Sequence, residues 1–352
     1  MAYPQSVITM PVLICFPMAL GAAMELRVFD IIAEAGPGAH LSPSEMVAKM
    51  PTTNPNAAAA LERILRILVT NSILTVQEPK DGEGPRMYGL TDQSRCLVSG
   101  EDGVSLAPLV QFGLQKPNLD SFNNLGAAVL EGGSTPFKRT HGMEVYEYAE
   151  TDQKFCGIFH EAMRNIDVTF MADVFQVYKG FSEVKEMVDV GGSFGSCINL
   201  IVSKYPHIRA VNFDLPYVIA RAPQYPGVEH VSGDMFESIP STEAIFMKAI
   251  LHNWDNDQCL KLLRNCWKAL PDGGKVINVE CVIPPILGTD HVSRFTTGLD
   301  LLMMASFNGG MERTASEYGD LAKAAGFAET KIFPLTNGRT VMEFCKRLSI
   351  TS

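Results

Sequence analysis

Apolar positions in the first hundred residues recur at helical spacing. In "AALERILRILVTNSILTV", Leu61, Ile64, Leu65 and Leu68 fall on one helical face ahead of a β-branched stretch. Just upstream, "LSPSEMVAKM" starts a helix, with Ser42 as N-cap, Pro43 at the first helical position and Glu45 closing a capping box. "QEPKDGEGPRMYGLT" then reads as a wing between two short strands. Helix, helix and hairpin in that order predict a winged-helix module. Residues 105 to 180 read as mostly helical, including the long segment "DQKFCGIFHEAMRNIDVTFMADVFQVY". Beyond Gly180 the pattern turns to β-rich runs separated by amphipathic stretches: "EMVDVG", "RAVNFD", "EHVSGDM", "AIFMKAI", "KVINVEC" and "TVMEFCK". Strands alternating with helices call for a parallel sheet covered on both faces, so the C-terminal part is expected to be α/β and doubly wound.

At 352 residues the chain is long enough for two domains. Its 39 acidic against 29 basic side chains give a net charge of -10, a surface that repels phosphate backbones. The candidate second helix of the winged module carries Glu62, Arg63 and Arg66 but no basic stripe. The module is therefore expected to pack or dimerise, with no nucleic-acid partner. Eight cysteines without a CxxC pair suit reduced thiols in a cytoplasmic protein, and no metal site is expected. The apolar run "VITMPVLICFPMALGAAM" has no Lys or Arg before it and is interrupted by two prolines. It reads as a buried or subunit-interface helix pair, neither a signal peptide nor a membrane span.

In an open parallel sheet, ligands bind beyond the carboxyl ends of the strands, and these ends carry the candidate chemistry. The first expected strand ends in Asp189 and enters the glycine turn "GGSFGS". The second ends in Asp214, about 20 residues on, the spacing at which a carboxylate meets a ribose diol. The third ends in Asp234 and Met235, the fourth in Lys248 followed by His252, and the fifth in Glu280. The turn does not fit GxGxxG. It is closer to DxGxGxG with Ser193 in the middle glycine position, which suits a nucleoside without phosphates. That favours S-adenosylmethionine over NAD and disfavours a nicotinamide oxidoreductase.

"DVGGSFGS", "NFDLP", "PGVEHVSGDMF", "MKAILHNW", "VEC" and "GGMERTASEY" resemble, in this order and over nearly the whole chain, the motifs of plant small-molecule O-methyltransferases, especially the caffeic acid 3-O-methyltransferase-like group. The resemblance implies an α/β chain with a Rossmann-like methyltransferase domain, including substrate-binding helices, at 106–352. Before it, at 1–105, would lie a winged-helix dimerisation domain, all-helical apart from its wing. It implies a homodimer in which N-terminal residues of one subunit complete the pocket of the other. It also implies S-adenosyl-L-methionine as cofactor, leaving as S-adenosyl-L-homocysteine, with no metal. Carried over by position, the cofactor residues are Gly191, Asp214, Leu215, Asp234, Met235 and Lys248. His252 would be the general base, flanked by Glu280 and Glu312.

A phenol near pKa 10 and an imidazole near 6.5 differ by about 3.5 units, so proton transfer is uphill by roughly 5 kcal/mol. A carboxylate beside the imidazole and a nearby sulfonium both narrow that gap. For the substrate, Phe155, Phe159, Met163 and Ile166 recur along the long helix, and the resemblance adds Phe112, Asn253, Leu302, Met303 and Phe307 to the pocket. Met and Phe faces suit a flat aromatic guest. Where caffeate-type enzymes place Asn and His, this chain has Gly113, Ala149, Ile166 and Phe307. A more apolar small phenol is therefore expected: a stilbene, a flavonoid or an alkaloid phenol before a polar phenylpropanoid. A caffeate-type enzyme and a weakened methyltransferase-fold binding protein remain the alternatives, the latter because Ser193 departs from the glycine pattern.

Overall fold

The structure is a computed structural model that describes residues 5–79, 82–100, 103–336 and 338–347. It divides into two compact units, Met1–Leu119 with Asp152–Ile166, and Asp120–Thr151 with Asp167–Ser352. A single cut near residue 105 does not reproduce this division. The helix Gln153–Val177 gives its first half to one unit and its second half to the other.

In the first unit the capping box at Ser42 and Glu45 forms as the sequence dictates, with Pro43 at the helix start. The helix Ala57–Thr70 buries Leu61, Leu65 and Leu68. These pack with Ala23, Val28, Phe29, Ile32, Met46 and Tyr88 into one core. The hairpin strands are β2 (Leu74–Gln77) and β3 (Met87–Leu90); wing residues 80–81 lie outside the described residues. A further strand, β1 (His40–Leu41), pairs antiparallel with β3, so the unit is less purely helical than expected. Two residues are too short to show a period; opposite His40 stands Gly89, where a Cβ would come within 2.6 Å of the His40 ring.

The apolar N-terminus, read as a helix pair, folds as the helix Gln5–Thr9, the 3₁₀ turn Met10–Val12 and the helix Cys15–Glu25. The stretch Val7–Glu25 has a mean hydropathy of 2.1 and is long and apolar enough to cross a membrane, with 17% of it buried. Val7, Ile8, Val12, Leu13 and Ile14 are exposed on the single chain.

The second unit is built on a seven-stranded sheet of order β6-β5-β4-β7-β8-β10-β9. Its strands are β4 (Glu186–Val190), β5 (Arg209–Asp214), β6 (Val228–Ser232), β7 (Ala244–Lys248), β8 (Lys275–Cys281), β9 (Glu329–Pro334) and β10 (Arg339–Cys345). The first five are parallel, and β10 runs antiparallel between β8 and β9. Strands β4, β7 and β8 are buried almost throughout, which is why they read as continuous apolar runs. Six of the seven were legible. The edge strand β9 was missed because Glu329, Lys331 and Ile332 are exposed and Thr330 is half-buried, which leaves no alternating apolar face.

Alternate residues of each strand enter opposite cores. Met187, Ala210, Phe246 and Val279 belong to one, and Val188, Phe213, Met247 and Val276 to the other. By the same alternation Asp189, Asn212 and Lys248 share the first face, and Glu280 lies on the second. The chain winds outward from β4 to β6 and then returns to β7, so the strand order switches between β4 and β7, where a crevice for ligand is expected.

Candidate active site

The turn after β4 is shaped by backbone conformation. Gly191 (φ 70°) and Gly195 (φ 83°) occupy the left-handed region, and Ser193 does so at φ 52° although it carries a side chain. A Cβ on Gly191 would lie 2.6 Å from Ile250, and one on Gly192 only 2.2 Å from Asn212 Oδ1 and 2.7 Å from Asp189. Asp214 spends its carboxylate on the chain itself, accepting the backbone N–H of Ser193 at 2.8 Å and of Leu215 at 2.7 Å. Burial raises its pKa against the pull of these two donors. Leu215 is exposed beside it. Asp234 accepts the N–H of Phe236 at 2.8 Å, and the Met235 carbonyl accepts Asn265 Nδ2 at 3.0 Å.

Lys248 sits in a buried ion pair with Asp167 on the long helix, Nζ to Oδ1 2.8 Å. Asp167 also accepts the hydroxyl of Ser196. Burial lowers the lysine pKa, but Asp167 more than restores it, and the net direction is up. Asp189 is pushed up to about 8 by burial and by the Asp167 charge, against the pull of Lys248. Its Oδ2 accepts no hydrogen bond among the described residues. Sequence reading missed Asp167, since one acid in a helix gives no local signal.

Near the ends of β7 and β8 the second cluster forms. His252 lies in the short 3₁₀ turn Leu251–Asn253, and its Nδ1 is 2.8 Å from Glu312 Oε1. A carboxylate can only accept, so Nδ1 carries the proton and Nε2 is left as the basic nitrogen. The strand pairing of β7 with β8 brings Glu280 beside this turn, as expected. Its Oε1, however, accepts the backbone N–H of Ile250 at 3.0 Å and Leu251 at 2.8 Å. Glu280 therefore shapes the turn that presents the imidazole, and Glu312 holds the ring. Burial lowers the His252 pKa, but the charges of Glu280 and Glu312 outweigh it and the net direction is up. Burial pushes Glu280 up as well, partly offset by His252. The three side chains offer donor atoms within 4.8 Å of one another, a set that could also hold a divalent ion.

Arg313, next to Glu312, was also missed. Fully buried, it donates to the carbonyls of Leu251 at 3.1 Å and Trp254 at 2.8 Å and to Asn256 Oδ1 at 3.0 Å. The N–H of Met311 donates to the His252 carbonyl at 2.9 Å, and that of Glu312 to Asp300 at 2.9 Å. Together these bonds fix the two loops to each other. A Thr314–Glu317 capping box starts the next helix. Asn253 donates Nδ2 to the Ala249 carbonyl at 3.1 Å, which closes its own turn.

The expected pocket residues fall in two sets. In the first unit Phe112 meets Phe155 and Phe159 at centroid distances of 5.5 and 5.2 Å, with Phe155 and Ile166 buried and Met163 half-buried. In the second, Met303 is buried and Leu302 half-buried, and Phe307 packs on Tyr146 at 5.4 Å. Tyr146 had no place in the sequence reading.

The chain matches a family model for the O-methyltransferase domain over residues 122–328 and one for the O-methyltransferase dimerisation domain over residues 12–100. It is 53% identical to (S)-scoulerine 9-O-methyltransferase of Coptis japonica, over 95% of this chain and 87% of that protein. Identity is 48% with desmethyl-yatein O-methyltransferase of Sinopodophyllum hexandrum, covering 94% of each chain. It is 46% with caffeic acid 3-O-methyltransferase of Medicago sativa, covering 94% and 91%. The fold matches human N-acetylserotonin methyltransferase in complex with SAM at a TM-score of 0.82, with 22% identity and 97% of each chain covered. Two adjoining domain models in the right order, and relatives aligned nearly end to end, make this chain a member of the plant O-methyltransferase family.

Proposed function

We propose that the protein methylates a phenolic hydroxyl of a small plant metabolite, with S-adenosyl-L-methionine as donor and His252 as general base. The observation that carries this reading is the bond between His252 Nδ1 and Glu312, which leaves Nε2 free to take a proton. The residues around the β4 turn fit the cofactor: glycines admit no Cβ, and Asp189 has a buried carboxyl oxygen without a hydrogen-bond partner among the described residues, a group that a cationic guest would favour in its charged form. Gly191, Asp214, Leu215, Asp234, Met235 and Lys248 would hold it, Lys248 acting through Asp167. When bound, S-adenosylmethionine supplies an electrophilic methyl group and a fixed positive charge. His252 takes the phenolic proton at Nε2, and its raised pKa narrows the roughly 5 kcal/mol gap between phenol and imidazole. Glu312 keeps the ring in the working tautomer, and Glu280 fixes the turn beneath it.

For the substrate we favour an apolar, polycyclic phenol of the alkaloid kind over caffeate. Phe307, on Tyr146, and Ile166 offer no side-chain hydrogen-bonding group to a polar tail, and the alkaloid-methylating relative shares more residues with this chain than the caffeate enzyme does. The protein acts as a cytoplasmic homodimer without nucleic-acid or membrane partner; the dimerisation domain and the exposed apolar N-terminal helices support the dimer. A panel of (S)-scoulerine, pinosylvin and caffeate, scored by kcat/KM with gel filtration alongside, tests the reading. A clear preference for caffeate would sink the substrate assignment, and a monomer the assembly.

A further inference from the structure

Within the cofactor turn Ser193 stands at φ 52°, where a side chain is disfavoured, so something outside the turn must hold it. Two residues with no role so far, Asn212 on β5 and His230 on β6, are placed to do this. Asn212 is fully buried, and its Nδ2 lies 2.9 Å from the Ser193 carbonyl and 3.1 Å from His230 Nδ1. His230 Nε2 lies 2.9 Å from the Pro223 carbonyl. Carbonyls only accept, so the protons are assigned along the whole chain of bonds. His230 donates from Nε2 to Pro223, Nδ1 accepts from one Asn212 N–H, and the other Asn212 N–H donates to Ser193. Asn212 Oδ1 accepts nothing among the described residues. The glycines pack on this pair: a Cβ at Gly192 would meet Asn212 Oδ1 at 2.2 Å, and one at Gly195 would meet His230 Cε1 at 3.3 Å.

We propose that Asn212 and His230 are positioning residues for S-adenosylmethionine, a clamp that holds the Ser193 turn in its binding conformation. This rests on the reading of that turn as the cofactor site.

The test is calorimetric titration of S-adenosylhomocysteine into the native full-length protein and its variants. If loss of the clamp leaves roughly a tenth of molecules with a competent turn, Asn212→Ala binds about tenfold more weakly. The same variant should raise KM for the cofactor with kcat little changed. His230→Gln, which can donate to Pro223 and accept from Asn212, should bind like native, whereas His230→Leu should match Asn212→Ala. Native-like binding by a folded Asn212→Ala would overturn the clamp; so would equal binding by His230→Gln and His230→Leu, which decides the matter if Asn212→Ala does not fold. A native protein that binds no S-adenosylhomocysteine would instead remove the cofactor reading.

Discussion

His252 and Ser193 both follow strands flanking the switch in strand order, yet they are held by different means. His252 is fixed by side chains far away in sequence: Glu312 sixty residues on, Glu280 on the next strand, and Arg313 on the surrounding carbonyls. The Ser193 turn is fixed by backbone conformation, with glycines at φ 70° and 83° and Asp214 accepting the Ser193 N–H. A side-chain assembly fails by losing chemistry while the fold stays; a backbone assembly fails by losing shape. Mutations should therefore separate kcat from cofactor affinity according to which region they strike.

The largest effect expected is from His252→Ala, with kcat down roughly 10²- to 10⁴-fold and S-adenosylmethionine affinity within about twofold of native. Equal turnover by that variant would remove His252 from the mechanism. Gly192→Ala should do the reverse. Its Cβ would lie 2.2 Å from Asn212 Oδ1 and 2.7 Å from Asp189, overpacking that costs about 1–3 kcal/mol. Calorimetry should show cofactor binding lost or greatly weakened, and unchanged binding would mean that the turn is not as rigid as its contacts imply.

Glu280→Gln sharpens the comparison through pH. The His252 pKa is raised, so the neutral base appears only above the ordinary histidine value of about 6.5, and the acid limb of kcat/KM should lie above it. Burial works against that shift and Glu280 is its largest support, so the variant's limb should move to lower pH. A limb that stays in place would assign it to another group. Stability runs the other way: the charged His252 contributes fully below its unfolded pKa, and the contribution is lost as pH rises through the raised folded value. The smallest effect is from Ser193→Gly. Relief of left-handed strain, offset by added freedom in the unfolded chain, should leave a gain of about 1 kcal/mol or less, read from thermal unfolding. A loss would show that the serine makes a contact worth more than its strain.

Much of the region after β4 was legible because its determinants are local. Glycine spacing after an apolar run and an aspartate closing a β-rich run are each read from residues a few positions apart, as is the capping box at Ser42 in the first unit. Asp167 and Arg313 were not legible: each is one charged residue in an ordinary segment, and its partner is set by packing. Glu280 was found, but its bond to the Ile250 and Leu251 backbone, and not to His252, could not be read from spacing.

The sequence by itself determined the α/β class, six of the seven sheet strands, the glycine turn and the place of His252 just after a strand end, because strand period and turn chemistry belong to individual residues and near neighbours. Only the tertiary structure decided that Glu312 and not Glu280 holds the His252 ring, that Lys248 is spent on Asp167, and that Asn212 and His230 brace Ser193. Those choices depend on which side chains the sheet order and loop packing bring within hydrogen-bond reach, a distance that sequence separation does not encode.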